Sequence, residues 1–454
     1  MAGGASFSLL TQRRFAPFFV TQFLGAFNDN LFKNAVVILV AFQASSLGEG
    51  GNGAILVQLC AALFILPFFL FSGTAGQLAD RTEKTRIIRA VKVLEIVIMT
   101  IGAFGLVMRN LPLLLAALFL MGLHSTIFGP VKYAILPQHL NRDELLGANG
   151  LVEMGTFVAI LLGTLAGGLL IGLSDGGELL VGGSAIAVAA AGYVSSRFIP
   201  VAPAASPELV LEMNPLAETK RTISLTKRDP LVFTVLLAVS WFWFMGALYL
   251  GQFPALTTDV LHGNEHVVTL LLAVFSVGIG AGSVGCEKLA KGGDGAWLVL
   301  AGAVGMSLFG FDLCAGARSS VETLGAVAFL ADPGNIRFLL DLLMVGVCGG
   351  LFIVPLYTLM QTASDESVRS RIIAGNNIWN AIFMVASAGV AAGFAASGLD
   401  PLRILVIGGV LNLAACAWFY PKLRREMRVR ASASASVLSV GEESVSAVVE
   451  SDPA

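Results

Sequence analysis

The chain has 454 residues, of which 56% are hydrophobic and only 13% are charged, and its formal net charge at pH 7 is -2. Soluble domains carry about 25% charged residues, so this composition excludes an ordinary soluble domain. The near-zero net charge also gives no indication of a nucleic-acid partner.

The apolar residues form twelve segments that follow one another along the whole chain. About twenty apolar residues are enough for a helix to cross the hydrocarbon core of a bilayer. Period-2 alternation is absent and lipid satisfies no backbone groups, so each segment is expected to be a helix. The segments are 15–42, 54–79, 87–108, 111–130, 144–172, 179–199, 230–254, 266–289, 296–316, 337–360, 371–396 and 402–420. The first is too long for a signal peptide and lacks a small-residue cleavage site.

The first segment contains Asp29, Asn30, Lys33 and Asn34 in an otherwise apolar run. Charged groups at membrane depth usually face a polar interior and mark a pathway. Asp29 and Lys33 are also one helical turn apart, so they can neutralise each other. Two interpretations therefore stay open, a structural ion pair and the polar lining of a transport pathway.

Further polar residues follow in the fourth, fifth and eleventh segments. Lys132 comes just after Pro130, where it either attracts a lipid phosphate or serves as a loop cation. Glu153 lies in the first turns of the fifth segment, where a carboxylate suits the positive end of a helix. Its role is either in a cavity or gate, or in capping the helix or pairing with Lys132 or Arg142. Asn149 in the first half and Asn376 and Asn377 in the second are related by an offset of about half the chain. Their side-chain amides can form hydrogen bonds across helices. The aromatic run 241–244 favours an interfacial belt.

Basic residues concentrate in the loops that follow even-numbered segments and at both ends of the chain. The opposite loops contain little beyond Arg109, Arg318 and Arg403. The positive-inside rule then places both termini in the cytoplasm, which an even number of spans also requires.

A proline-rich and basic stretch divides the chain into two halves. We predict a first six-helix bundle over 1–199, a cytoplasmic linker over 200–229 and a second six-helix bundle over 230–420. The tail, 421–454, becomes Ser/Ala-rich and acidic, and is expected to be disordered because it lacks apolar surface to bury. Repeated halves are typical of transporters that rock around a midplane site.

Several chemistries find no support in the sequence. The five cysteines have no Cys-x-x-Cys spacing and the four histidines form no His-Glu-x-x-His, which argues against disulfides and zinc. A GxxxxGK[ST] loop is absent, so direct nucleotide drive is not expected. No histidine has an aspartate five positions on, the pair expected of a fused acyltransferase. We therefore expect no enzyme, metal or cofactor.

The loop after the second segment, Gly76-Gln77-Leu78-Ala79-Asp80-Arg81-Thr82-Glu83-Lys84, resembles the conserved loop motif of the major facilitator superfamily. The usual pattern has glycine where this chain has Glu83. The resemblance implies close helix approach at Gly76, capping or pairing by Asp80, and cytoplasmic anchoring by Arg81 and Lys84. It also implies an all-α polytopic membrane protein with about 12 transmembrane helices.

Three further segments resemble the bacterial lysophospholipid transporter family: 22–30, 129–137 and 148–168. The resemblance implies a secondary transporter that moves lysophospholipids across the bacterial inner membrane, with membrane lipid as a partner and functional coupling to an acyltransferase. The expected substrate or ion pathway comprises Asp29, Asn30, Lys33, Asn34, Lys132, Glu153, Asn149, Asn376 and Asn377. The alternatives are a proton- or sodium-coupled transporter of a soluble solute or drug and, as a weaker one, the membrane part of a lysophospholipid acyltransferase system.

Overall fold

A computed structural model describes residues 5–43, 53–291, 295–318 and 323–450. Twelve helices in these ranges are long and apolar enough to cross a membrane, which confirms the predicted segments. They are α1 (Ala16–Gln43), α2 (Gly53–Arg81), α3 (Lys84–Val107), α4 (Leu111–Ala134), α5 (Leu145–Ile171), α6 (Gly177–Ser196), α7 (Pro230–Ala255), α8 (Glu265–Ala290), α9 (Ala296–Gly316), α10 (Pro333–Ala363), α11 (Arg369–Ala396) and α12 (Pro401–Glu450).

Local sequence explains where several of these helices begin. The Asp229 carboxylate accepts hydrogen bonds from the backbone amides of Leu231 and Val232, and Pro230 is the first residue of α7. Asp332 and Pro333 have the same arrangement at the start of α10. A side-chain acceptor satisfies amides that have no partner in the first turn, and proline loses nothing there because its missing amide would be unpaired.

Each half packs through its own helices, and glycines allow the closest approaches. In the first half α1 packs on α5 and α6, α2 on α4, and α3 on α4 and α6; in the second, α10 packs on α8 and α9, α7 on α11, and α12 on α7 and α9. A Cβ atom at Gly163 or Gly167 of α5 would lie 2.3 Å from a backbone carbonyl oxygen of α1. The two backbones therefore come as close as small residues permit.

The two halves meet mainly at one end of the bundle, which we call the linker end because residues 200–229 lie there. The packed pairs across the halves are α5–α8, α2–α11, α4–α11 and α5–α10. A Cβ at Gly150 of α5 would lie 2.4 Å from the carbonyl oxygen of Ser283 of α8. A helix within the linker, Pro215–Thr226, packs on both α2 and α11 at this end.

The carboxyl-terminal segment differs from the prediction. α12 continues to Glu450, so residues 421–430, which we expected to be disordered, are helical. The Arg430 guanidinium pairs with the Asp229 carboxylate and donates to the carbonyl oxygen of Ala363 (2.9 Å), and the Lys422 ammonium lies 3.6 Å from the centre of the Trp418 ring. These basic side chains find specific partners on the bundle, which the composition of the tail does not reveal.

The glycine contacts generate a stability prediction. A Cβ at Gly282 of α8 would lie 2.0 Å from the carbonyl oxygen of Val347 of α10. Gly282→Ala should therefore lower the free energy of unfolding by about 1–3 kcal/mol, the usual cost of overpacking. Thermal unfolding of the purified protein would measure this. Gly183→Ala is the matched control, since no atom lies within 4 Å of the added Cβ; equal melting temperatures for the two variants would contradict the packing.

Candidate functional site

A cavity of about 150 Å³ lies in the first half between α1, α3 and α4. Its polar groups include two ammonium groups, a carboxylate, an amide and an imidazole in an otherwise apolar bundle. Polar groups at this depth satisfy each other or face a polar ligand, because lipid offers them no partner. The lining residues are Gln22, Gly25, Ala26, Asp29, Lys92, His124, Ser125, Phe128, Gly129 and Lys132.

Asp29 faces this cavity, but it does not pair with Lys33. The Ser125 hydroxyl donates to Asp29 Oδ2 (2.6 Å), while Asp29 Oδ1 is buried with no hydrogen-bond partner among the described residues. The Lys33 ammonium lies 5.0 Å from the centre of the Phe64 ring of α2, a cation–π contact. The ion pairs in the described part of the chain do not include Asp29–Lys33, although the Asp29 carboxylate acts on the Lys33 ammonium through space, so the two residues do not form a direct ion pair.

Asn30 and Asn34 belong to helix packing rather than to the cavity. Asn30 Nδ2 donates to the Ala26 carbonyl of its own helix (2.8 Å), and Asn34 Nδ2 donates to the Thr164 carbonyl of α5 (2.8 Å). Neither side chain lines the cavity. The expectation that both amides face a central pathway is therefore corrected, because they lie on the α1 face that packs against α5.

A buried ionic network adjoins the cavity. Lys92 and Glu95 of α3, three residues apart, form an ion pair whose side chains are 2% and 0% exposed. Asn28 Nδ2 donates to Glu95 Oε1 (2.8 Å), and His124 Nε2 lies 3.3 Å from Glu95 Oε2. The roles of Asn28 and His124 as partners of Glu95 were not predicted. The sequence feature that could have indicated the network is His124, an ionisable residue within an apolar span.

Lys132 and Glu153 lie near each other but have different partners. Lys132 Nζ donates to Thr156 Oγ1 (2.9 Å), and this hydroxyl lies 3.2 Å from Gln22 Oε1. Glu153 is fully buried; its Oε1 accepts the Tyr133 hydroxyl, and its Oε2 has no hydrogen-bond partner among the described residues. Glu153 therefore makes no direct ion pair with Lys132 or Arg142 among the described residues, although the Lys132 ammonium is near enough to act on its charge through space.

Aromatic rings connect the halves next to Glu153. The rings of Tyr133 (α4) and Tyr357 (α10) stack with centroids 4.3 Å apart and planes 9° apart. Trp243 Nε1 of α7 donates to the Tyr357 hydroxyl (3.2 Å). Each tyrosine follows a proline inside its helix, Pro130 and Pro355. The Trp243 ring also stacks on Phe157 of α5, with centroids 6.4 Å apart, so Trp243 belongs to the contact between the halves and not to an interfacial belt.

The repeat-related amides have unequal surroundings. Asn149 (α5) and Gln361 (α10) exchange two hydrogen bonds of 2.7 and 3.0 Å across the halves. Asn376 is buried, and its Oδ1 has no partner among the described residues. Asn377 Nδ2 would lie 2.4 Å from a Cβ at Gly129, so it reaches the edge of the cavity from the second half. The sequence analysis missed Gln361, because nothing in its neighbourhood marks it as the partner of Asn149.

The loop motif holds α2 against the start of α11. Asp80 accepts hydrogen bonds from the backbone amide of Ser370 (3.0 Å) and from Arg371 Nε (3.0 Å). A Cβ at Gly76 would lie 2.6 Å from Cβ of Ala374. The carboxylate therefore caps a helix from the other half, at the positive end of its dipole.

The two basic positions of the motif differ from each other. Arg81 is exposed, as an anchor at a membrane surface requires. Lys84 is only 2% exposed, and its backbone amide donates to the carbonyl oxygen of Ala202 (3.0 Å). The expectation that Lys84 anchors the loop at the surface is therefore corrected.

An ion pair outside the spans holds the amino-terminal segment at the linker end. Arg14 Nη1 donates to Glu144 Oε2 (2.7 Å), and this hydrogen bond holds the pKa of the Glu144 carboxyl below its usual range. Glu144 also accepts the backbone amide of Asn141 (2.8 Å). The pair connects the segment before α1 with the start of α5.

Comparison with known proteins places the chain in a family. Residues 18–388 match the model of the Major Facilitator Superfamily. The lysophospholipid transporter LplT of Escherichia fergusonii is 31% identical over 366 residues, 79% of this chain and 82% of the relative. The same transporter of Enterobacter sp. is 27% identical over 408 residues, 89% of this chain and 94% of the relative.

Solved structures are similar in fold. The crystal structure of the transporter FucP in the outward conformation has a TM-score of 0.67 and 12% identity, covering 90% of this chain and 98% of that chain. The human organic anion transporter MFSD10 has a TM-score of 0.68 and 13% identity, covering 90% and 99%. The chain is a multi-pass membrane protein and belongs to the Major Facilitator Superfamily, in the group of the LplT transporters.

Proposed function

We propose that this protein is a secondary transporter, and not an enzyme, that moves lysophospholipids across the bacterial inner membrane. The observation that carries the proposal is similarity over most of the chain to proteins named lysophospholipid transporter. A polar cavity inside an apolar bundle supports it, because a lysophospholipid joins a polar headgroup to one apolar chain.

The headgroup would enter the cavity of the first half. Its phosphate would meet the Lys132 ammonium and the buried Gln22 Nε2, which has no hydrogen-bond partner among the described residues. The acyl chain would stay against apolar helices or lipid, where each buried CH2 group contributes about 0.8 kcal/mol. Within the proposed pathway, Asp29 and Lys132 line the cavity and Asn377 reaches its edge, while Lys33 lies one turn beyond Asp29 against Phe64. Asn149, Glu153 and Asn376 would act at the contact between the halves.

Alternating access would proceed by rocking of the halves, 1–199 and 230–420. The contacts made by Asp80, Tyr133, Asn149, Tyr357 and Gln361, which we call the linker-end contacts, would hold the transporter closed at that end. The motif residues Gly76 and Arg81 would support this closure. The basic loops support a cytoplasmic position for the linker end and both termini, and a separate acyltransferase would use the delivered lysolipid there.

The substrate proposal predicts the effect of removing one cavity charge. Lys132→Met should reduce uptake of lysophosphatidylethanolamine into proteoliposomes about tenfold or more, because a hydrogen bond to a charged group contributes about 1.5–3 kcal/mol. Lys132→Arg should retain part of the uptake. Lys422→Met, which removes an exposed lysine far from the cavity, is the control.

Binding measurements on the same proteins separate the substrate classes. Glycerophosphoethanolamine has the headgroup without the chain, so it should compete poorly with the lysolipid. Equal competition by this tailless compound, or tight binding of a soluble solute that lysolipid does not displace, would favour the solute-transporter alternative.

The assignment of the two membrane sides predicts a labelling pattern. Ser224 lies exposed in the linker helix and Thr258 lies exposed at the opposite end of the bundle. A membrane-impermeant maleimide added to intact cells should label Thr258→Cys and should label Ser224→Cys only after the cells are opened. The reverse pattern would invert the proposed topology.

The linker-end contacts predict a shift between conformations. Asp80→Asn removes the charge that caps α11, so the closed state should lose about 1.5–3 kcal/mol relative to the open state, a tenfold or larger change in population. Spin labels at the exposed positions Arg142 and Lys288, one in each half, should report a longer distance. Asp365→Asn is the control, because the hydrogen bonds of the Asp365 carboxylate among the described residues go to its near neighbour Ser367. An unchanged distance distribution in Asp80→Asn would remove this contact from the closing mechanism.

A further inference from the structure

The linker helix, Pro215–Thr226, lies against both halves at a level inside the ends of the spans. Thr219 Oγ1 donates to the carbonyl oxygen of Leu70 (3.2 Å), which lies about three turns before the end of α2. Trp379 Nε1, about three turns after the start of α11, donates to Thr226 Oγ1 (3.4 Å). Three turns of helix are about 16 Å, so the linker helix lies beside the apolar parts of α2 and α11 and not beyond their ends.

Acidic and basic side chains of residues 215–229 point to opposite sides. Glu218 is 1% exposed and lies against α2, where a Cβ at Gly73 would be 3.0 Å from the Glu218 carbonyl oxygen. The Asp229 carboxylate caps α7 and pairs with Arg430. Arg221 Nη1 lies 4.0 Å from Glu218 Oε2. The basic side chains are all exposed: Lys220, Arg221, Lys227 and Arg228. The exposed side is therefore positively charged, while both carboxylates are engaged elsewhere.

The exposed residues share one face of the helix. They follow one another at intervals of three and four residues, the spacing of neighbours on a helix surface. We call the following set the outer face: Leu216, Lys220, Arg221, Ser224, Lys227 and Arg228. Its beginning is apolar, since Leu216 is 63% exposed and Met213, just before the helix, is 84% exposed. Exposed apolar and basic side chains on one helix are typical of segments that lie in a membrane surface.

A tryptophan ring marks the level of the outer face. The Lys227 ammonium lies 5.9 Å from the centre of the Trp379 ring of α11, a cation–π contact. Tryptophan is enriched at membrane–water interfaces, where its ring lies among the lipid headgroups. Together with the hydrogen bond from Thr219 to Leu70, this contact places the basic side chains at the level of the headgroups.

We propose that the outer face of the linker helix binds anionic phospholipids of the leaflet that surrounds the linker end. Lipid phosphates contact Lys220, Lys227 and Arg228, and the apolar side chains of Met213 and Leu216 lie among the acyl chains. A free phosphate ion offers nothing to these apolar side chains, and a soluble acidic protein does not reach a helix that lies beside the spans. The outer face shares no residue with the lining of the cavity, so the inference does not depend on which substrate is transported.

The charges of the outer face set the size of the expected effect. Each lysine or arginine near an anionic membrane surface strengthens association about fivefold. Anionic phospholipid should therefore be preferred to zwitterionic phospholipid by one such factor or more. The preference should also depend on salt, because the screening length falls to about 3 Å at 1 M ionic strength.

Fluorescence energy transfer from a donor at Ser224→Cys measures which lipids lie at the outer face. The donor is attached to the full-length protein in a background without the five native cysteines. Phosphatidylcholine nanodiscs contain a small fraction of phosphatidylglycerol or phosphatidylcholine that carries the same acceptor on its acyl chain. Phosphatidylglycerol should be enriched about fivefold or more, the effect of one basic side chain. Equal transfer from the two lipids would overturn the proposal and favour a soluble acidic partner for this face.

A triple variant removes the charges that the proposal assigns to lipid contact. Lys220→Gln, Lys227→Gln and Arg228→Gln together should abolish the enrichment of phosphatidylglycerol. Arg221 is kept because it lies beside the buried Glu218. Enrichment that persists in this variant would overturn the assignment.

The matched control removes the same charge from exposed positions of α12, whose Arg430 pairs with Asp229 at the same end of the bundle. It combines Lys422→Gln, Arg425→Gln and Arg428→Gln. Each triple variant removes one lysine that contacts a tryptophan ring, so the two sets also match in this respect. The control should keep the enrichment at the donor, and an equal loss in both variants would overturn the site.

Two further measurements need no charge variant, so they remain decisive if the triple variant does not fold. The enrichment should fall severalfold in about 1 M sodium chloride, because salt screens the attraction. Millimolar inorganic phosphate, compared with chloride at equal ionic strength, should leave the enrichment unchanged. Enrichment that does not respond to salt would refute the electrostatic basis of the site. Displacement of the lipid by inorganic phosphate would replace the lipid site with a simple anion site.

Discussion

A charged group that is cut off from water needs partners inside the protein, and the Lys92–Glu95 pair shows how strongly this requirement organises the first half. Both side chains are almost completely buried. Removing one partner of such a pair costs about 3–5 kcal/mol, because the remaining charge stays buried and uncompensated. Asn28 from α1 and His124 from α4 complete the surroundings of Glu95. Three helices are thereby held in one register, and the cavity lies beside them.

The contacts between the halves follow a different principle, since two of them join a single side chain to the end of a helix. Asp80 binds the first turn of α11, and Gln361 Nε2 of α10 donates to the carbonyl oxygen of Tyr133 in the last turn of α4 (3.1 Å). Helix ends carry unsatisfied backbone groups and partial charges, so one residue can provide a directional contact. Such contacts can break and form again without repacking a core, which suits a surface that must open during transport.

The sequence predicts the helices far better than it predicts which side chains meet. Hydropathy identifies all twelve spans because the bilayer requires a minimum apolar length. The partners of Asp29, Asn30 and Lys33 depend instead on which face of α1 each residue occupies and on which helix packs there. Neighbours in sequence therefore separate, with Asp29 at the cavity and Asn30 against α5. The loop motif was enough to predict that Asp80 caps or pairs with a helix end. The sequence around Gln361 and His124 does not indicate which residues they contact.

The prolines before the stacked tyrosines have a mechanical consequence. A proline inside a helix removes one backbone hydrogen bond and leaves the carbonyl four residues earlier without its usual donor. Pro130 separates His124 and Ser125 of the cavity wall from the turn that bears Tyr133 and the cavity residue Lys132. In the second half Pro355 lies just before Tyr357. Each ring therefore sits on a terminal segment joined to its helix at a compliant point, so a swivel that parts the two rings also moves Lys132 at the edge of the cavity.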